Sequence, residues 1–227
     1  MNFLRLCDFD ILVNKKEESD QAVVVLHGFG ASAQDLAPIS QVFTEFSEYD
    51  WYFIDAPLEV PLGMGMMGKA WYPLDMEAIQ QAIATNSFLD LYKDNTPDGF
   101  EDILSRLTPL MNELSTKYKN LALGGFSQGS IVSSHLMTRL EKNFSKLFLF
   151  SSAYVDQKNL EKGYQSKREM KIFQSHGEGD PVLPFAGALE LKKFFLGKQY
   201  DLNFQSFTGG HEIPMPVLEQ FKSFLEG

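Results

Sequence analysis

Short runs of apolar and β-branched residues recur along the chain at FDILV (9–13), AVVVLH (22–27), WYFIDA (51–56), LALGGF (121–126), KLFLFSS (146–152), KIFQSH (171–176) and DLNFQSF (201–207). Most are continuously apolar rather than alternating, as strands covered on both faces are. Between them apolar positions fall three and four apart, the helical spacing, in DLAPISQVFTEF, MEAIQQAIA, residues 98–118, QGSIVSSHLMTRLEK, FAGALELKKFFL and PVLEQFKSFLE. Strand and helix therefore alternate. Parallel strands need crossover connections, which helices supply, so the pattern predicts an α/β fold with a mostly parallel central sheet and helices on both faces. Pro109 falls inside the longest helical stretch and predicts a kink or an interruption. Residues 56–97, with Pro57, Pro61, Pro73 and Pro97 among methionines and aromatics, are the least regular stretch. In this fold class, long loops leaving the carboxyl ends of strands build the site.

A chain of 227 residues, 44% of them hydrophobic, can bury a substantial core, and a single domain over residues 1–227 is expected. Cys7 is the one cysteine, so the fold must stand without an internal disulfide and suits a reducing compartment. A formal charge of -10 opposes binding to nucleic acid or to an anionic membrane surface. Arg5, Asp8 and Asp10 break up the apolar N-terminus, which therefore lacks the core of a signal peptide. No run approaches the roughly 18 apolar residues of a membrane span. The expectation is a cytoplasmic protein with no nucleic-acid partner and no stable membrane insertion.

Within the irregular region, GMGMMGKA satisfies G-x-G-x-x-G through Gly63, Gly65 and Gly68 and nearly satisfies the phosphate-loop pattern. Both motifs need a strand feeding the turn and a helix following it, whose N-terminal amides meet the phosphates. Here PLEVP intervenes after the strand, Pro73 blocks a following helix, and Ala70 lacks the hydroxyl that would ligate Mg²⁺. A nucleotide site is therefore not expected. The string reads as a flexible loop, either on the surface or against a substrate.

The substrate chemistry is carried by LALGGFSQGSIVSS, where a strand runs into Gly125-Phe126-Ser127-Gln128-Gly129 and then into a helix. This is G-x-S-x-G in strand-turn-helix context, a sharp turn that presents Ser127 at a helix N-terminus. A serine hydroxyl needs a base and an orienting carboxylate, in the chain order serine, acid, histidine. His27 precedes the nucleophile, and His135 lies within the following helix, where packing or capping suits it better. His176 ends a strand just before the turn that carries Asp180, which leaves His211, in FTGGHEIP, with both the order and the location. For the acid, SHGEGDPVLP offers Asp180, held extended by Pro181, with Glu178 as its rival. Oxyanion-hole donors are expected from the backbone amides of Gln128 and of Phe29 in VVVLHGFGAS.

These four blocks, LHGFGASAQDLAPI, GGFSQGS, HGEGDPVLP and GGHEIP, resemble in the same order the carboxylesterase, phospholipase and acyl-protein thioesterase family of α/β-hydrolases. The resemblance covers almost the whole chain and implies the α/β-hydrolase fold without a large cap domain. It also selects Asp180 over Glu178. The family's Arg-Ala-Trp-Tyr/Phe block reads Lys69-Ala70-Trp71-Tyr72 here, which implies that GMGMMGKAWY borders the acyl groove with Trp71 and Tyr72 near the acyl chain. Met66 and Val182 complete the implied substrate contacts. Lysine for arginine removes a planar fork, Pro73 stands where the family has Asp, and Ser130 replaces a small Gly or Ala. Met64, Met66 and Met67 suit either filling of core gaps or a soft wall for an acyl chain.

The expected activity is hydrolysis of a small-molecule carboxylic ester through an acyl-serine, with thioesters and lysophospholipids as variants served by one triad. No cofactor and no metal are expected. A binding protein that kept the fold without catalysis is the alternative from another class, and the apolar content of residues 56–97 equally suits a homodimer surface.

Overall fold

Side chains in the central strands point alternately to two separate cores. The computed structural model describes residues 1–16, 18–43, 48–85, 87–91, 93, 95–140, 144–164 and 169–227. Its strands are β1 (Asn2–Leu6), β2 (Phe9–Asn14), β3 (Gln21–Leu26), β4 (Tyr49–Ile54), β5 (Leu58–Gly63), β6 (Met66–Ala70), β7 (Asn120–Phe126), β8 (Phe144–Phe150), β9 (Lys171–Gly177) and β10 (Asp201–Phe207). The main sheet runs β1-β2-β4-β3-β7-β8-β9-β10. Its first two pairings, β1 with β2 and β2 with β4, are antiparallel, and all the others are parallel.

The helices are α1 (Ala33–Leu36), which tightens into a 3-10 segment over Ala37–Phe43, then α2 (Met76–Ala84), α3 (Phe88–Leu91), α4 (Phe100–Lys117), α5 (Gln128–Leu136), α6 (Gln157–Gly163), α7 (Phe185–Gly197) and α8 (Met215–Glu226). On one face Val24, Tyr52, Leu123 and Leu149 pack with α2 to α7. On the other Val25, Phe53, Ala122 and Phe150 pack with α1, its 3-10 extension and α8. This is an α/β-hydrolase fold with a mostly parallel sheet covered on both faces and, among the described residues, no large inserted cap domain.

Three expectations need correction. Helix α4 is not interrupted at Pro109 but continues through it. The ring costs about 3 kcal/mol in lost hydrogen bonding and crowding, but Phe100, Ile103, Leu104, Leu107, Leu110, Met111 and Leu114 are buried along one face, each worth roughly 1.5–3 kcal/mol. The irregular 56–97 stretch holds an antiparallel hairpin, β5–β6, and the helices α2 and α3. GMGMMG is thus the turn and second strand of a hairpin rather than a loop, with Gly63, Met64 and Gly65 all at positive φ. The helix expected from residue 128 to 142 ends as α5 plus a 3-10 turn over Met137–Arg139, with 141–142 outside the described residues, as are 44–46 of the first helical stretch.

Candidate active site

Strand β7 delivers Ser127 into a backbone conformation of φ 54 and ψ -120, a region that costs a non-glycine residue on the order of 1–3 kcal/mol. The surroundings hold it there: the Ser127 amide donates to the Phe150 carbonyl (2.9 Å), pinning the turn to the end of β8. The end of β3 passes so close that a Cβ on Gly125 or on Gly129 would lie 2.2 Å from the Leu26 carbonyl oxygen. Both flanking glycines are therefore steric necessities. Helix α5 starts at Gln128, and the amides of a helix's first turn have no intrahelical partner.

The acid and base arrive on two loops beyond β9 and β10. The Glu178 amide donates to Phe207 O and the Gly179 amide to Gly209 O, both at 2.9 Å, so the loops are laced together. His211 Nδ1–H donates to Asp180 Oδ2 (2.7 Å), and the Ser127 hydroxyl donates to His211 Nε2 (2.8 Å). Phe126 packs against the His211 ring with centroids 4.7 Å apart. The other carboxylate oxygen, Asp180 Oδ1, accepts the amides of Val182 and Leu183 at 2.8 and 2.9 Å. Ser127, His211 and Asp180 thus form one hydrogen-bonded triad. Burial pushes the Asp180 pKa up, but hydrogen bonds from His176, His211 and the Leu183 amide outweigh it and hold the carboxyl well below the usual carboxylate range.

The rival residues have other partners. Glu178 accepts from the Ser206 hydroxyl (2.8 Å), away from the triad. His27 is buried, its Nδ1–H donating to Gly28 O (2.7 Å) while Nε2 accepts the Ala56 amide (3.0 Å), and burial lowers its pKa. His135 Nε2–H donates to Val155 O (2.9 Å), and burial lowers its pKa to about 4. His176 has a place that sequence reasoning missed: its Nε2 faces Leu183 O at 2.8 Å and stands 3.3 Å from Asp180 Oδ2. The only sequence signal for it is its position four residues before the acid.

The front of the site is built by the hairpin and by the loop after β3. The Gln128 side chain accepts the Trp71 amide (2.9 Å) and donates to Tyr72 O (2.7 Å), joining the start of α5 to the end of β6. An apolar cavity of about 290 Å³ opens beside Ser127 and His211, walled by Phe29, Gln128, Tyr72, Val182, Ile79, Phe88, Ile131 and Val155 among others. Trp71 and Met66 are not among the described residues that line it. Trp71 is buried, its Nε1 donating to His27 O (2.7 Å), and Met66 is exposed on the hairpin with Met64 and Met67, so these methionines fill no core gap. A larger groove of about 490 Å³ at the amino ends of the strands, lined by Gln21, Asn120, Lys146 and Lys171, contains no triad member. Among the described residues, no helix is long and apolar enough to cross a membrane and no group of acidic, His and Cys side chains could hold a metal ion.

Comparison with known proteins agrees with this geometry. The chain is 24% identical to acyl-protein thioesterase 1 of Kluyveromyces lactis over 94% of each chain. It is 22% identical to the protein of that name from Schizosaccharomyces pombe over 92% of this chain and 96% of the other. Among solved structures, esterase PE8 superposes with a TM-score of 0.76 at 23% identity, covering 95% of this chain and 96% of that one. Acyl-protein thioesterase 2 of Zea mays superposes with a TM-score of 0.72 at 17% identity, covering 95% and 97%. Residues 8–227 match the family described as Phospholipase/Carboxylesterase, and the chain belongs to that family.

Proposed function

We propose that the protein hydrolyses carboxylic esters with an apolar acyl part through an acyl-Ser127 intermediate. The observation that carries this reading is the opening of the hydrogen-bonded triad directly onto an apolar cavity. Ser127 Oγ attacks the carbonyl carbon as its proton passes to His211 Nε2, and Asp180, ionised and fixed by two backbone amides, stabilises the imidazolium. The developing oxyanion meets the amides of Phe29 and Gln128, each worth roughly 2.7–4 kcal/mol because the charge is present only in the tetrahedral species. The alkoxide leaves with the proton from Nε2. Water then repeats the sequence in reverse and frees the acid.

The acyl chain lies along Tyr72, Ile79, Phe88, Ile131 and Val155, with the exposed Val182 beside it. Thioesters are the second reading, supported by the name that the fungal relatives carry. The triad serves both, since only the leaving atom changes. A panel of p-nitrophenyl esters of increasing chain length, run beside a palmitoyl thioester and lysophosphatidylcholine, tests the proposal. Ester turnover that disappears in Ser127→Ala is expected. Faster turnover of the thioester would favour the second reading, and a folded protein that turns over none of the substrates would overturn both.

A further inference from the structure

Residues 28–33, the loop that presents the Phe29 amide, are held mainly by side chains and backbone from residues 55–71. The Gly30 amide donates to Lys69 O (2.8 Å) and the Lys69 amide to Ala31 O (3.1 Å), a single antiparallel bridge between the loop and β6. Leu62 of β5 lies over Gly30, where an added Cβ would meet its Cδ2 at 2.9 Å. Lys69 Nζ then donates to Asp55 Oδ2 (2.7 Å), and Asp55 Oδ1 accepts the amide of Ala33, the first residue of α1 (2.6 Å). Asp55 is therefore gripped by the hairpin on one oxygen and grips the far end of the loop with the other.

Resting on the proposed esterase chemistry, we infer that Lys69 and Asp55 are positioning residues that set the place of the Phe29 amide in the oxyanion hole. Neither side chain lines the cavity. They act through the loop: Phe29 lies between the end of β3 at Leu26 and the backbone bridge at Gly30 and Ala31, and the Lys69–Asp55–Ala33 chain braces the loop just beyond that bridge. The ion pair is part-buried, with side-chain exposures of 31% for Lys69 and 13% for Asp55, so water competes with it only on one side. An unpaired Asp55 would lose the charge that holds it against the hairpin while keeping its bond to Ala33. The exit of the loop at Ala33 would then move with α1 against the bridge that still ties Gly30 and Ala31 to β6.

The test compares Lys69→Met, Asp55→Asn and Lys69→Arg with wild type. It follows kcat and KM on a p-nitrophenyl ester, melting temperature, and inhibition by a trifluoromethyl ketone and by the methyl ketone of the same chain length. The first ketone adds Ser127 and places an oxyanion in the hole, whereas the second fills only the cavity. A shift of the loop of about 1 Å costs on the order of 100-fold, so Lys69→Met and Asp55→Asn are expected to lower kcat about 10- to 100-fold. KM and methyl-ketone inhibition should hold, trifluoromethyl-ketone affinity should fall with kcat, and Lys69→Arg, which can still reach Asp55, should restore most of the rate. Wild-type kcat in Lys69→Met overturns the inference while leaving the esterase reading intact. So does a loss that Lys69→Arg fails to restore and that both ketones share. A wild-type protein that neither hydrolyses the ester nor binds the trifluoromethyl ketone overturns the esterase reading, and the inference with it.

Discussion

Gly68 of the hairpin lies against Gly30 of the loop after β3 so closely that a Cβ at position 68 would stand 2.1 Å from the Gly30 carbonyl oxygen. The third glycine of GMGMMG is therefore required by the approach of another backbone. Gly68→Ala is expected to displace the loop or the hairpin, lowering kcat about 100-fold and stability by about 1–3 kcal/mol. Gly63→Ala is the control, because its Cβ would meet nothing within 4 Å while φ is 89. It should cost about 1 kcal/mol through backbone strain and keep its rate. Rates and melting temperatures of the two variants, measured together, check this; equal kcat values would refute it.

At Ser127 strain and chemistry can be separated. Ser127→Ala keeps a Cβ at a positive φ and loses the nucleophile, so turnover should fall about 10⁴-fold with little change in stability. Ser127→Gly loses the same chemistry but relieves the backbone, and should be about 1 kcal/mol more stable than Ser127→Ala. Urea denaturation of the pair reads the difference. A less stable glycine variant would mean that the turn is not strained.

Stability should decline on mild acidification through His135. Its folded pKa is held at about 4, so below the ordinary histidine value the unfolded chain binds a proton that the folded chain refuses. The loss grows as pH falls from about 6.5 to about 4, reaches about 3 kcal/mol, and is flat for this group below that. His27, also lowered by burial, adds in the same direction. Asp180 acts in the same direction at lower pH: its depressed pKa contributes stability that is fully present above the unfolded carboxylate value and is lost as pH falls from there through the folded one. Unfolding free energies of wild type and His135→Gln between pH 7 and pH 4 check the account. An unchanged slope in the variant would contradict it.

Much of this site could be read before the fold was known because its parts are local in sequence. The elbow, the acid loop and the histidine loop each sit within a few residues of a recognisable strand end, and chain order singles out His211 and excludes His27. What escaped depends on contacts between distant segments. Nothing near Gly68 in sequence announces Gly30, and nothing near Lys69 announces Asp55. The 56–97 stretch looked irregular because β5 is exposed over nearly all its length and only Ala70 of β6 is buried, so no apolar face marks them as strands. β1 is hidden for the same reason, as an edge strand with Phe3 exposed and Arg5 paired to Asp10. Pro109 misled because a local rule met a well-buried helix face.

Acyl-chain preference should follow the cavity wall rather than the methionines. Ile79→Trp fills space where the chain would extend, and each excluded methylene is worth about 0.8 kcal/mol, or roughly fourfold. Losing two or three of them should lower kcat/KM for an octanoyl ester against a butyryl ester by about 15- to 60-fold. Met66→Ala, on the exposed hairpin, should leave that ratio where it is. A ratio that moves with Met66 and ignores Ile79 would place the acyl chain elsewhere.

The central claim is that Ser127 is a nucleophile activated by His211. Fluorophosphonate labelling followed by peptide mass spectrometry addresses it most directly. One adduct on Ser127 is predicted, absent in Ser127→Ala and formed at least about 10³-fold more slowly in His211→Ala. Folded wild-type protein that takes up no label at Ser127, or takes it up equally fast without His211, would contradict the claim.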